Sequence, residues 1–295
     1  MRPNAARPFA LIQFALRCVG QAFGDLRTNS AVDLFALAQS RRVLLVEFRP
    51  LLAEGSLFIK EDGFTVQINS KEAEVIRLNG EPVTRKLTAK QRFTFAHEIA
   101  HTLPYDTTVA PPRIKPEVLK TIEDSGGRGL KDSLESFCQI AAGFILVPQR
   151  GLRHDDVLGP WGKVDSLDLI RRMARRFEVS PEVMIHRVAN AGDEEALKDP
   201  DFSLVMVTKI GRWEQVRACI YSATLTGLFK QPRLYTRVAT WVQATPILKR
   251  CNLLGVEEGK WTTPTTTGTL RITKKRYPRN PASYFLELKH TPESA

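Results

Sequence analysis

Cysteine is scarce in this chain, histidine nearly as scarce, and no apolar run is long enough to span a bilayer. The four cysteines of the 295 residues, Cys18, Cys138, Cys219 and Cys251, lie far apart and never pair as C-x-x-C. That spacing argues against a disulfide framework and against a thiolate zinc site. A transmembrane helix needs about 20 consecutive apolar residues. The best run, Phe9 to Gly20, is broken by Gln13 and Arg17. Arg2 and Arg7 before it give the start a leader-like look, but the internal arginine spoils the apolar region of a signal peptide. An amphipathic first helix with Phe9, Ile12, Leu16, Val19 and Phe23 on one face accounts for the pattern better. These readings predict a cytoplasmic protein with no membrane segment. The length permits two domains and a sizeable core.

Acidic residues thin out in the last third. Residues 201–295 hold 15 Lys and Arg against 6 Asp and Glu, whereas residues 1–200 hold 28 against 26. A polar, acidic stretch at 191–200 separates the two parts and reads as a linker. Beyond it, residues 204–209, 216–223, 235–243, 269–273 and 284–289 are β-branched, aromatic and partly alternating, which predicts strands. Trp213, Trp241, Trp261 and Tyr277 read as core or rim of that domain rather than a stacking platform. Its best candidates for polyanion contact are Arg271, Lys274, Lys275, Arg276 and Arg279, although a solvated basic face explains the cluster equally well.

Against five histidines in the whole chain, two stand in His97-Glu98-Ile99-Ala100-His101. Such a match arises by chance in roughly one chain in two hundred of this composition. On a helix, positions i and i+4 share a face, so both imidazoles can reach one metal ion with the glutamate beside it. Thr88 and Gln91 form a capping-box pattern that starts a helix. Phe93, Ala96, Ala100 and Leu103 recur as a core stripe, with the histidines expected on another stripe. Pro104 ends the helix near Leu103.

A catalytic zinc site needs a third protein ligand and one open position. A second helix is expected over 135–148, with Leu134, Phe137, Cys138, Ala141 and Ile145 buried and Pro148 closing it. Glu135 and Gln139 share an adjacent face. Glu135 can supply the third ligand with Gln139 in an outer position, or it can simply favour the first helical turn through the helix dipole. Cys138 is more readily a buried packing residue than a thiolate ligand.

The block QRFTFAHEIAH, followed by a glutamate and a stretch ending in ILVP, resembles the ImmA/IrrE family of metallopeptidases. Arg92, Phe93, Thr94, Ala96, His97, Glu98 and His101 match that pattern, as do Glu135, Ala142, Leu146 and Pro148. The likeness extends more loosely over about 27–190. Cys138-Gln139 and Ala141-Ala142 replace the family's usual pairs, and the 33 residues between His101 and Glu135 exceed the family's usual length. The resemblance implies a zincin-like peptidase domain in which His97, His101 and Glu135 hold Zn2+ and Glu98 is the general base. It further implies a regulatory protease acting on a helix-turn-helix repressor in a stress, DNA-damage or mobile-element response. Mn2+ suits the same nitrogen and oxygen donors. Tyr105 is a candidate donor to the transition state, and Gln139 a candidate outer-shell residue.

The rest of the first 190 residues fits around this centre. Ser30–Gln39 reads as a capped helix burying Val32, Leu34, Phe35 and Leu37, and Val43–Phe48 as a strand. Leu57–Lys60 and Phe64–Asn69 read as a hairpin, one strand of which is expected to offer an edge to an extended peptide. Ser166–Val188 reads as a helix-turn-helix-like pair, with Leu167, Ile170, Ala174 and Phe177 inward and Ser180-Pro181 opening the second helix. Arg171, Arg172, Arg175 and Arg176 make the first of these helices basic, suiting either DNA phosphates or solvent.

The expectation is therefore an α+β chain: a helical extension over 1–26, a zincin-like metallopeptidase domain over 27–190 with a small sheet and active-site helices, the linker, and a basic, β-rich domain over 201–295. Its expected partners are a protein substrate and, through the basic domain, nonspecific DNA. The competing expectation is a metal-stabilised regulatory or DNA-binding module without turnover.

Overall fold

The computed structural model describes residues 6–24, 26, 30–126, 129–152, 166–189, 202–210, 213–220, 237, 242, 248, 259–265, 268–276 and 283–292. The fold is mixed α+β, and the chain divides into two compact units, 1–152 with 174–183 and 153–173 with 184–295. The expected linker at 191–200 lies outside the described residues. No helix among the described residues is long and apolar enough to cross a membrane.

The first unit opens with helix α1 (Ala6–Phe23). Its buried residues are Leu11, Ala15, Cys18 and Val19, so the core-facing stripe is rotated from the one expected. The reason is its neighbour, α5 (Leu130–Leu146), against which the Phe14 ring packs on Phe137 with centroids 5.9 Å apart. The segment read as a separate extension thus packs within the first unit. Helix α2 (Leu34–Ser40) is capped by Asp33, whose carboxylate accepts from the amides of Phe35 and Ala36. That cap falls three residues later than Ser30, and Leu37 is only half-buried.

A four-stranded sheet follows, with strands β1 (Val43–Arg49), β2 (Gly55–Ile59), β3 (Phe64–Asn69) and β4 (Glu74–Arg77) in the order β2-β3-β1-β4. The β2–β3 hairpin is antiparallel, as its Glu61-Asp62-Gly63 turn predicts, and β3 runs parallel to β1. β3 is therefore an inner strand, and the edge beside the hairpin is β2. Val43, Val46, Phe48, Phe64, Val66 and Ile68 are buried. Helix α3 (Ala89–Ala100) packs on this sheet and on α5. The short hairpin β5 (Tyr105–Asp106) and β6 (Arg113–Ile114) and helix α4 (Pro116–Gly126) fill the long spacing between the histidine motif and α5. A short helix, α6 (Gln149–Leu152), follows α5.

Two helices, α7 (Ser166–Arg176) and α8 (Pro181–Ala189), occupy the segment over which a helical pair is expected. Leu167, Ile170, Ala174 and Phe177 are buried, while Arg172 and Arg175 are exposed. The hydroxyl of Ser180 accepts from the amide of Val183, the N-cap bond its sequence predicts.

The second unit contains an antiparallel five-stranded sheet in the order β8-β7-β11-β10-β9. Its strands are β7 (Phe202–Ile210), β8 (Trp213–Ile220), β9 (Gly259–Thr265), β10 (Gly268–Arg276) and β11 (Ser283–Pro292). Val205, Val207, Val216, Leu270, Ile272, Leu286 and Leu288 share its core. Strand β9 is not among the expected strands, and it contains Pro264. The proline is accommodated because β9 lies at the edge. The strand expected over 235–243 falls outside the described residues except for Arg237, which bridges Gln215, and the helical, buried Val242. The side chains of Trp213, Trp241, Trp261 and Tyr277 also lie outside them.

Candidate metal centre and its cleft

Local sequence fixes the first half of the site. Thr88 accepts from the Gln91 amide while the Gln91 side chain accepts from the Thr88 amide, so both ends of the capping box are formed. The helix is α-helical to Ala100 and ends in a turn that reaches Pro104. Its buried face carries Phe95, Ala96, Ile99 and Ala100. Phe93 is not on that face. It is half-buried and lines a cleft with His97, to which it stands i to i+4, with ring centroids 6.4 Å apart. The expected separation of Phe93 from the histidine stripe is thus corrected: residues 93, 97 and 101 share one face.

The second half comes from α5, 34 positions along the chain from His101 to Glu135. Gly129, at φ 81°, precedes this helix and gives no side-chain cap. α5 begins at Leu130, so Glu135 lies beyond the first turn, where the dipole effect has decayed. Its carboxylate meets the histidines instead. His97 Nε2 is 3.2 Å from Glu135 Oε2, His101 Nε2 is 3.6 Å from Glu135 Oε1, and the two Nε2 atoms are 3.1 Å apart.

A tetrahedral ion with donors at the usual zinc distances separates them by about 3.3 Å. The two imidazole nitrogens lie close to that separation and each faces one oxygen of the Glu135 carboxylate, a donor set that could hold a small divalent cation. Burial lowers the pKa of His97 against the opposing pull of Glu135. Burial and the neighbouring His97 lower that of His101 to about 4. Both rings are consequently neutral near pH 7, the form a metal requires.

Glu98 points elsewhere from the same turn. It is buried, and burial together with the Glu135 charge raises its pKa to about 7. It rests against β2 at Gly55. A β-carbon built on Gly55 would lie 2.7 Å from Glu98 Oε1 and 2.6 Å from Thr94 Cγ2. Sequence reasoning overlooked Gly55, although a glycine opening a strand is a known sign of close backbone approach.

Tyr105 lines the same cleft, its ring set edge-on to Phe64 with centroids 5.4 Å apart and its hydroxyl pKa raised by burial. Gln139 is exposed in the cleft and makes no hydrogen bond to Glu135. Cys138 is fully buried, and burial raises its thiol pKa well above the ordinary value. It is a packing residue apart from the donor cluster.

Arg41 secures the exit of α3. Its guanidinium donates to the carbonyls of Thr102 at 2.7 Å and Tyr105 at 3.0 Å and to the Thr102 hydroxyl at 3.2 Å. Arg42 donates to the carbonyls of Thr107 and Val109. These bonds tie the stretch that follows the helix to the corner between α2 and β1. Nothing in the periodicity of residues 41–42 signals them.

The basic cluster of the second unit is only partly available. Arg271 is exposed. Lys274 is buried, with its ammonium 3.8 Å from the Tyr284 ring centroid and 4.0 Å from Glu214 Oε1. The expectation of polyanion contact at Lys274 is therefore corrected: inward-facing on β10, it is engaged inside the sheet domain. Lys275 is half-buried. The Arg276 side chain and Arg279 lie outside the described residues.

No protein-family model matches the chain, and no curated protein does. Among solved structures, a Mycobacterium tuberculosis transcriptional regulator is similar at 15% identity with a TM-score of 0.50, covering 95% of this chain and 87% of that one. At that identity the likeness speaks to the fold alone.

Proposed function

We propose that this chain is a zincin-like, divalent-metal-dependent endopeptidase, with Zn2+ as the ion that best suits the donor set. The observation that carries this reading is the meeting of two neutral imidazoles and a carboxylate within reach of one ion, beside a buried glutamate. When bound, a divalent cation supplies Lewis acidity, polarising a carbonyl and lowering the pKa of water. His97, His101 and Glu135 hold it. Glu98 takes the proton from the attacking water and passes it to the leaving amine, and a pKa of about 7 suits both tasks. β2 presents an open strand edge along the cleft, where an extended peptide pairs its backbone without regard to sequence. Tyr105, on the cleft wall, is the side chain available to steady the developing oxyanion.

The substrate that fits the family resemblance is a helix-turn-helix repressor whose cleavage derepresses a stress, DNA-damage or mobile-element response in the cytoplasm. The structural neighbour's description as a transcriptional regulator accords with that setting. It accords equally with a second reading, a metal-stabilised regulatory module that binds DNA without turnover. Glu98 favours the peptidase, because a purely structural ion has no use for a proton acceptor held near neutrality. The test is to incubate the zinc-loaded protein, and its Glu98→Gln variant, with the repressor encoded beside its gene. A cut product from the unaltered protein only is expected. Salt-dependent DNA affinity with intact repressor in both reactions would establish the second reading.

A further inference from the structure

Three exposed large apolar residues from three separate elements converge on the metal centre. Ile59 of β2 is 48% exposed, Ile114 of β6 is 47% exposed, and Leu130 at the start of α5 is 38% exposed. All three line the cleft of about 680 Å³ that contains His97, Glu98, His101 and Glu135. Phe93, Leu119 and Leu134 line it as well. A concave cleft lined by apolar side chains around a few polar groups suits an apolar occupant.

Charge narrows what that is. No lysine or arginine is among the described residues lining this cleft. Its carboxylates are already engaged: Glu135 joins the histidines, Glu98 is buried against Gly55, and Glu54 pairs with Lys90 at 2.7 Å. Apart from the metal ion, whose open position the scissile bond would take, an acidic side chain entering here finds no cationic side chain and faces carboxylates. A basic one exchanges water for hydrocarbon and finds no unengaged partner. A large apolar one fits.

We infer that this cleft selects a protein segment carrying a large apolar side chain next to the scissile bond, and that Ile114, Leu119 and Leu130, contributed by or bordering the long insertion between the histidines and Glu135, form the selecting wall. The inference rests on the peptidase reading and adds the class of bond attacked. Large apolar residues are ordinarily buried in a folded partner. Such a segment reaches the cleft when its own fold opens locally, so the insertion makes cleavage depend on the substrate's local stability as well as its sequence.

The experiment uses quenched fluorogenic peptides that differ at one position flanking the cleaved bond (Leu, Phe, Asp or Lys), with zinc-loaded enzyme. In parallel, fluorescence anisotropy reads binding of the same peptides to zinc-loaded Glu98→Gln. Leu and Phe peptides are expected to exceed Asp and Lys peptides by about tenfold or more in kcat/KM and in affinity. Ile114→Asp and Leu130→Asp, both at exposed positions, are expected to erase that margin while zinc content stays unchanged. Cleavage without preference overturns the selecting wall and leaves the peptidase standing. Apolar-selective binding without cleavage supports the wall and overturns the peptidase. Absence of both binding and cleavage overturns the wall as well, and the wild-type panel decides the matter even if an aspartate variant fails to fold.

Discussion

Glu98 should make the metal-free protein less stable as the medium becomes more alkaline, and Glu98→Gln should abolish that penalty. The carboxyl is buried beside Glu135, and its pKa rises from 4.5 to about 7. A folded-state pKa above the unfolded one means that the protonated group favours the fold. That contribution is complete below about 4.5 and is lost as pH rises through 7. The span corresponds to about 3 kcal/mol, a large share of a typical domain's stability. Glutamine keeps the size and remains neutral throughout. After treatment with a chelator, the urea midpoints of the two proteins should stay a constant distance apart below pH 4.5, whereas at pH 8 the variant should have gained about 3 kcal/mol on the wild type. Comparing the two cancels titrations common to both, including the histidines. Zinc should narrow the difference, because a cation next to the carboxylate offsets its burial. A gap between the two proteins that does not change with pH would show that Glu98 does not occupy the environment described, and would remove the physical basis for its role as a base.

Three more outcomes follow from the same geometry. His97→Ala and Glu135→Ala should lose tightly held zinc after dialysis while Glu98→Gln retains it; full zinc in Glu135→Ala would transfer the third donor to another residue. Gly55→Ala should keep zinc and lower kcat by about 10²-fold, since the added methyl displaces Glu98 and a shift near 1 Å is costly to a reacting group; unchanged kcat would mean that β2 yields freely. Arg41→Ala should cost about 2 kcal/mol in urea denaturation, because three hydrogen bonds from a charged donor are lost. Arg41→Lys should restore only part of that, since an ammonium lacks the guanidinium's fork.

What was legible in the sequence was local. The capping box at Thr88 and the pairing of His97 with His101 follow from residues within a dozen positions, as does the hairpin around Glu61-Asp62-Gly63, and all three are present in the structure. Errors arose where two local solutions were nearly equivalent. Ser30 and Asp33 are both good caps, and tertiary packing selected the second. An aromatic at Phe93 suits a core or a cleft, and only the position of α5 made it cleft. Periodicity could not join Glu135 to a helix that ends 35 residues earlier. Its position on the second helix leaves a ligand and a helix-dipole role equally open, the resemblance favours the ligand, and the structure brings the atoms together. The same limit hid Arg41 and Gly55, whose partners lie 61 and 43 positions away in the chain.

The arginine pair at the corner between α2 and β1 has a consequence for anyone wishing to excise this centre. The candidate metal donors themselves span only 97–135, yet the stretch leaving α3 is anchored by hydrogen bonds from Arg41 and Arg42. A fragment beginning at residue 88 would carry every donor and none of these anchors. The smallest transplantable piece must therefore reach back through the sheet to Asp33, where α2 is capped, and the short motif is better regarded as the tip of a scaffold more than a hundred residues long.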